Sequence, residues 1–445
     1  MSKGRANIAR VVYFSLRDGP KRFWRGGEII SKLKILISVE FFYIMYLFSG
    51  AFKESLNIPF DIAGLFLGMT IVLVSWRLVQ KPHFSKVVVT PVIFMFTLLF
   101  IVLLSALVND LSGATIEKMI KLIALTMPAF LLPLFFVDGK DSVKRVLLSI
   151  SILAVLLSLF SLRMIFDNVG LFIGFNEGNY LGLARITGIG FIALSFFFLI
   201  SNKKNKVLIL PLLLLVSFTL ISTGSRMPLL AIALIVIYAL LQSFVISKGD
   251  ILIKKSSILG LLLASGFLFF ISFLYARGYF ETTFYRFQVL FEGGGGNSVF
   301  ARLDRIEASI QMFSDNYILG GGFGNLANYY TGTSGLYSHN LFFEFLSELG
   351  IMGILWLISF LVFMIYQLLS IYKKKHYSFD GVQFTLIAGF LFFFFNAMVS
   401  GDINDNRAVF AFASLLFTLP FAYVKSKENM IKGSMGLKKF RNSGA

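Results

Sequence analysis

At 445 residues, 57% hydrophobic, with 53 phenylalanines and only 14% charged residues, the chain lies well outside the range of soluble domains. Without cysteine it has neither a disulfide nor a thiolate metal site, and three scattered histidines suggest no metal cluster. The net charge of +18 would suit nucleic acid, but its placement along the chain argues for something else.

Residues 1–34 form a basic segment in which Val11, Val12, Phe14, Leu16 and Trp24 alternate with Arg10 and Arg17. Two readings stay open: an interfacial helix on an anionic leaflet, or a solvated tail. The first apolar run follows without a small-residue cleavage site, as a signal anchor would. Apolar runs near the roughly 20 residues that a bilayer requires recur along the chain. They fall at 35–52, 58–76, 87–108, 119–137, 143–166, 182–200, 207–223, 227–246, 256–276, 351–371, 383–400 and 408–424. The expectation is an all-α polytopic membrane protein of about twelve spans.

Every second gap is basic: Arg77/Lys81/Lys86, Lys140/Lys144/Arg145, Lys203/Lys204/Lys206, Lys248/Lys254/Lys255 and Lys373/Lys374/Lys375. His83 and His376 fall in these gaps too. On the other side lie only Lys53, Lys118, Lys121, Arg163, Arg185, Arg226, Arg277, Arg286, Arg302, Arg305 and Arg407, leaving 30 of the 41 Lys and Arg on the first side. The positive-inside rule puts that side, and both termini, in the cytoplasm. The charge is thus a topogenic signal, and no nucleic-acid partner is expected. A single cysteine placed at Ser334 is expected to react with an impermeant maleimide in intact spheroplasts. One at Ser247 is expected to react only after permeabilisation, and the reverse pattern would turn the loop inward.

The chain divides accordingly into a basic segment (1–34), nine spans (35–276), an extracytoplasmic loop with short helices (277–350), three spans (351–424) and a basic tail (425–445). Loops as long as this one carry function or are disordered. It contains the glycine run Gly293 to Gly296, a helix expected over Ser298 to Phe313 with apolar residues at helical spacing, and Gly320-Gly321-Gly322-Phe323-Gly324-Asn325. Helix and glycine hinges suit a lid over a cavity; a plain surface loop is the alternative.

Arg226 stands in a tight turn, Ser222-Thr223-Gly224-Ser225-Arg226, between two spans. It suits either a snorkelling arginine or an anion clamp, since its planar fork matches diphosphate oxygens. Arg302 and Arg305 project from the loop helix with Asp304 and Glu307 interleaved, which suits either local salt bridges or an external anion. Glycines 320 to 324 suit a phosphate nest or a flexible turn. His339 is the sole histidine on this side. Ser338 or Asn340 caps a helix with apolar Leu341, Phe342, Phe345, Leu346 and Leu349 on one side, Glu344 and Glu348 on the other, and Gly350 at its end.

Three of these elements resemble the O-antigen ligase and O-antigen polymerase superfamily. Thr223-Gly224-Ser225-Arg226 resembles its outward turn. Ala301-Arg302-Leu303, with Ile310, Phe313 and Gly320 to Asn325, resembles its loop helix and glycine segment. Ser338-His339-Asn340-Leu341 through Gly353 resembles its His-Asn signature. The likeness covers roughly residues 205–400. The aromatic residue often found just after the family's loop arginine is absent here, so either Arg302 or Arg305 takes that arginine's place.

The resemblance implies a metal-independent glycosyltransferase of the bacterial inner membrane that needs no cofactor. Its donor is an undecaprenyl-diphosphate-linked glycan and its acceptor a second lipid-linked repeat unit or the lipid A core. A chain-length regulator is a candidate partner. Arg226, Arg302 and Arg305 would hold the diphosphate, and Gly322, Gly324 and Asn340 would shape the substrate loop. His339 would be the general base, its reference pKa of about 6.5 suiting neutral pH, with Glu348 and Glu344 as alternative bases or orienters. The tyrosine- and glycine-rich stretch Tyr329, Tyr330, Gly332, Gly335 and Tyr337 inclines the reading to a polymerase over a ligase. A glycan flippase is the rival from another class, set back by the lack of an internal repeat.

Overall fold

The computed structural model describes residues 35–53, 59–80, 86–109, 111–167, 180–241, 244–247, 250–253, 271–292, 297–330, 337–374 and 380–419. The two basic ends, most of the ninth span, the run Gly293 to Gly296, Gly332, Gly335, Ser334, His83 and His376 lie outside them.

The architecture is all-α and polytopic. In chain order the helices are α1 (Val39–Phe48), α2 (Ile62–Gln80), α3 (Lys86–Val108), α4 (Gly113–Phe136), α5 (Lys140–Asp167), α6 (Tyr180–Ile200), α7 (Lys203–Ser222), α8 (Arg226–Leu241), α9 (Glu281–Glu292), α10 (Asn297–Asp315), α11 (Leu341–Lys374), α12 (Gly381–Ala397) and α13 (Arg407–Leu419). Seven of them are long and apolar enough to cross a membrane, and α1, α8, α12 and α13 are shorter apolar helices. These eleven coincide with eleven of the twelve expected spans; the ninth, 256–276, falls mostly outside the described residues. One antiparallel hairpin, β1 (Phe244–Ser247) with β2 (Asp250–Ile253), pairs Ser247 with Asp250 and Phe244 with Ile253. It trims the eighth span, expected to run to residue 246.

Helix ends assigned to one side by the charge count do meet one another. At the basic end, Glu40 takes Arg145 (2.7 Å) and Arg77 (3.5 Å), and Lys140 pairs with Asp380 (2.8 Å). At the other end, Arg407 donates to the Leu47 carbonyl, Arg185 to that of Ser400, and Thr126 to the Asn404 side chain. Paired charges there avoid the cost of a lone charge at the edge of an apolar layer.

Between the ends, helices associate by close packing, since lipid is as apolar as leucine. Gly190 of α6 lies against Ala154 of α5 so tightly that a Cβ would come within 2.2 Å of the alanine methyl, and Gly389 of α12 is as close to Phe412 of α13. Trp356 stacks between Phe345 (5.6 Å) and Phe360 (5.1 Å) and donates to the Phe94 carbonyl. This aromatic column anchors α11 to α3 and so fixes the level at which its outward end stands.

One boundary differs from the sequence reading. The fourth span, expected from 119, begins at Gly113, capped by Ser112, whose hydroxyl accepts from Thr115 N. Lys118 and Lys121 are therefore inside a helix. A π turn at Leu122–Thr126 follows, with the extra residue per turn rotating the face that carries Lys118 relative to the rest of α4. The break expected at Gly350 is present inside α11, with φ 63° and ψ −152°. Gly350 is needed there: a Cβ would sit 2.5 Å from the Ile318 carbonyl oxygen.

Candidate active site at the outward rim

The turn carrying Arg226 is not left to itself. Helix α9 docks on it: Thr283 donates to the Ile221 carbonyl (2.8 Å), Arg286 to that of Gly224 (2.8 Å), and Arg226 in return to the Arg286 carbonyl (3.3 Å). Gly224 takes φ +64° to close the turn. Arg226 is thus held at the joint between a membrane turn and the loop rather than left to follow the interface. Sequence reasoning missed α9 and the place of Arg286. A signal existed: Phe280, Phe284, Phe287 and Phe291 recur at helical spacing.

Helix α10, expected over 298–313 and observed over Asn297–Asp315, brings Arg302 and Arg305 to the same rim. No ion pair joins them to Asp304 or Glu307 among the described residues, so the local salt-bridge alternative is not realised. Arg302 makes no hydrogen bond among the described residues. Burial, above all, lowers its pKa; Arg286 and Arg305 push the same way, while Tyr180 opposes them. Arg305 donates to the Ala301 carbonyl (2.9 Å) and lies over the Tyr330 ring, and its Nε is buried without a partner. Arg286 lies over the Tyr180 ring (5.6 Å). Arg226, Arg286, Arg302 and Arg305 therefore share one electropositive rim, drawn from three separate segments of chain.

His339 lies under that rim. Its pKa is lowered to about 4, chiefly by burial, then by Arg305 and Arg302. Its ring lies 4.3 Å from that of Tyr337, and its Nδ1 is buried without a hydrogen-bond partner. The backbone there is left-handed, φ 55°, a conformation uncommon outside glycine and several-fold enriched for histidine. Asn340 imposes it. Its side-chain oxygen accepts from Phe342 N and Phe343 N as the cap of α11, and its amide donates to the Met398 carbonyl. Asn340 thus holds the histidine turn between α11 and α12. Tyr337 is in turn pushed up to about 12 by burial, then by Asp405 and Asp402.

Four expected residues, Glu348, Glu344, Gly322 and Gly324, are taken up in packing and ion-pair contacts. Glu348 is almost fully buried, where it receives Lys118 (2.7 Å) and the Gly324 N–H (3.0 Å). Glu344, one turn earlier, receives Lys118 (2.5 Å) and the Ile403 N–H (3.1 Å). Neither carboxylate hydrogen-bonds His339, so neither orients it. They were expected opposite the apolar face of their helix; Lys118, from a helix 230 residues away in sequence, lets both be buried. Gly322 and Gly324 do not form an open nest. Gly324 gives its N–H to Glu348, Gly321 gives its own to the Ser347 carbonyl (2.9 Å), and Asn325 accepts from Ser112 and Thr115. A Cβ at Gly320 would meet the Glu348 backbone at 2.4 Å. The glycines are there for close approach, and the segment locks the loop to α4 and α11 where a hinge was expected.

That lock is a stability feature with a measurable consequence. Lys118→Met leaves two buried carboxylates facing each other, and removing one partner of a buried pair costs about 3–5 kcal/mol. Thermal unfolding in detergent is expected well below wild type, and Glu348→Gln on the Lys118→Met background is expected to recover part of the loss. Equal unfolding temperatures for wild type and Lys118→Met would mean the triad carries no stability.

Chemically, the rim offers concentrated positive charge beside a neutral imidazole whose Nδ1 has no partner. This arrangement can bind a polyanion and accept a proton next to it. No curated protein matches the chain. Arg226, Arg286, Arg302, Arg305 and His339 all fall within residues 211–358, the stretch that matches the family model described as O-antigen ligase, in line with the resemblance carried by the three motifs.

Proposed function

We propose that the protein joins glycans at the outer face of the bacterial inner membrane, using an undecaprenyl-diphosphate-linked donor and a second lipid-linked repeat unit as acceptor. The observation that carries this reading is the rim itself. Arg302 is partly buried with no hydrogen bond or ion pair among the described residues and is repelled by its arginine neighbours, an arrangement that a bound anion relieves. The diphosphate sits across Arg226, Arg302 and Arg305. The acceptor hydroxyl attacks C1 of the donor sugar, the C1–O bond breaks, and its electron pair leaves on the diphosphate, where the arginines stabilise the growing charge. The hydroxyl proton passes to His339. The products are the lengthened glycan on its lipid and undecaprenyl diphosphate.

Transfer to the lipid A core is the second reading, favoured by the ligase description of the matching family. The polymerase reading rests on the tyrosine- and glycine-rich stretch that precedes His339, in which Tyr337 lies against the His339 ring and Tyr330 under Arg305. Purified protein in liposomes, given the lipid-linked donor with each acceptor in turn, separates them. A ladder of repeat units is expected; a single transfer to core acceptor would establish the ligase. Movement of donor across the bilayer without any product would replace both with a transporter.

A further inference from the structure

Helix α10 carries a third surface that neither the arginine rim nor the packing of the loop uses. Its protein-facing side is Ala308, Ser309 and Met312, all buried. Its solvent-facing side is polar: Asp304, Glu307, Gln311 and Ser314 are exposed. Between them runs an apolar stripe, Leu303, Ile306, Ile310 and Phe313, spaced three and four apart as one face of a helix requires. Leu303 is 53% exposed and Ile310 50%, with Ile306 and Phe313 half-buried between the stripe and the protein. An isolated exposed leucine needs no explanation, but an aligned row does.

The stripe has a definite continuation. The chain leaving α10 passes through Tyr317 and Ile318, themselves 56% and 69% exposed. Their carbonyls accept from Ile351 N (2.8 Å) and Met352 N (3.2 Å). Those are the first residues after the Gly350 break, where α11 begins its membrane run. From there the exposed apolar surface continues down α11 as Ile351, Leu355 and Ile358. The stripe and the lipid-facing side of α11 therefore form one apolar surface, stapled by backbone hydrogen bonds at the level where the span starts.

We propose that α10 is an interfacial helix, with the stripe of Leu303, Ile306, Ile310 and Phe313 seated in the acyl region of the leaflet nearest His339. A helix with one apolar and one acidic or polar side, lying in the membrane plane, satisfies both at once. Arg302 and Arg305 then stand at headgroup depth, on the edge of α10 turned to the protein. An anion carried on a lipid meets them without leaving the leaflet, whereas a free anion must descend from water.

The test needs no catalysis, so its failure and that of the proposed transfer reaction are separate results. The chain has no cysteine of its own. Leu303→Cys, Ile310→Cys, Glu307→Cys and Gln311→Cys are made one at a time. A fifth variant, Leu355→Cys, serves as a lipid-facing reference. Each is labelled with a nitroxide and reconstituted in phosphatidylethanolamine and phosphatidylglycerol vesicles. The ratio of collisions with oxygen to collisions with a water-soluble nickel chelate is expected to be several-fold higher at 303 and 310 than at 307 and 311, approaching that at 355. Equal ratios at 303, 310 and 311 would put the stripe in water. Suppressed collision with both agents at 303 and 310 would mean that a protein surface covers it. Either result overturns the proposal, and Phe313→Cys and Tyr317→Cys replace any stripe variant that fails to reconstitute.

Discussion

His339→Ala is expected to lower the turnover of glycan transfer by about 10²- to 10⁴-fold, the span usual for losing a positioned general base. Expression and membrane insertion should be unaffected, because the imidazole contributes no hydrogen bond through its buried Nδ1. His339→Gly sharpens the test. The φ of 55° suits glycine better than any side chain, so this variant should unfold no earlier than His339→Ala while being equally inactive. Near-normal turnover in either variant would remove His339 from the chemistry.

The same residue predicts the pH profile. A histidine held down to about 4 is neutral, and so able to accept a proton, through the whole neutral range. Activity that depends on the neutral form is present above the folded pKa and lost as pH falls through it. In the free enzyme that loss lies near pH 4. Two of the causes are the positive charges of Arg305 and Arg302, which a bound diphosphate offsets. The acid limb of kcat, which reports the complex, should therefore lie at higher pH than that of kcat/KM, which reports the free enzyme. Coincident limbs would mean that the anion does not bind at these arginines.

Arg302→Ala is the second variant with a large expected effect. Losing one donor to a developing oxyanion costs about 10²–10³ in rate. The expected signature is a split: activity falls while thermal stability is unchanged or rises, because Arg302 has no hydrogen bond or ion pair to lose among the described residues and its removal relieves repulsion from Arg286 and Arg305. Arg302→Lys and Arg226→Lys should each recover little, since an ammonium cannot reproduce a planar two-point contact with phosphate oxygens. Full activity in the Arg226→Lys variant would confine that residue to joining α8 with α9. A fall in stability matching the fall in activity for Arg302→Ala would make Arg302 a structural residue.

What could be read from the chain followed local rules. The spans are runs of apolar residues, and a bilayer fixes their length whatever they pack against. The break at Gly350, the capping role of Asn340 and the helix around Arg302 are also local, each set by residues within a turn or two. The alternation of basic gaps is long in range but one-dimensional, and the pairing of helix ends through Glu40 and Asn404 follows the same parity. The short hairpin at Phe244–Ser247 shows the limit of such rules, since an apolar run of that kind serves a span or a strand equally well.

The sequence by itself therefore determined that this is a polytopic α-helical membrane protein, and singled out Arg226, Arg302, Arg305 and His339 as the groups to watch. Only the tertiary structure decided which charges meet. Lys118 looked like an outward lysine near a span end, and Glu344 and Glu348 like carboxylates available to a histidine. Folding brings the three together in one buried ion-paired cluster. Arg286 was only one of eleven outward basic residues in the sequence, yet the docking of α9 on the Arg226 turn places it in the rim. The reason is physical: Coulomb energy and desolvation depend on distances across the fold, which are not written in the spacing of residues along the chain.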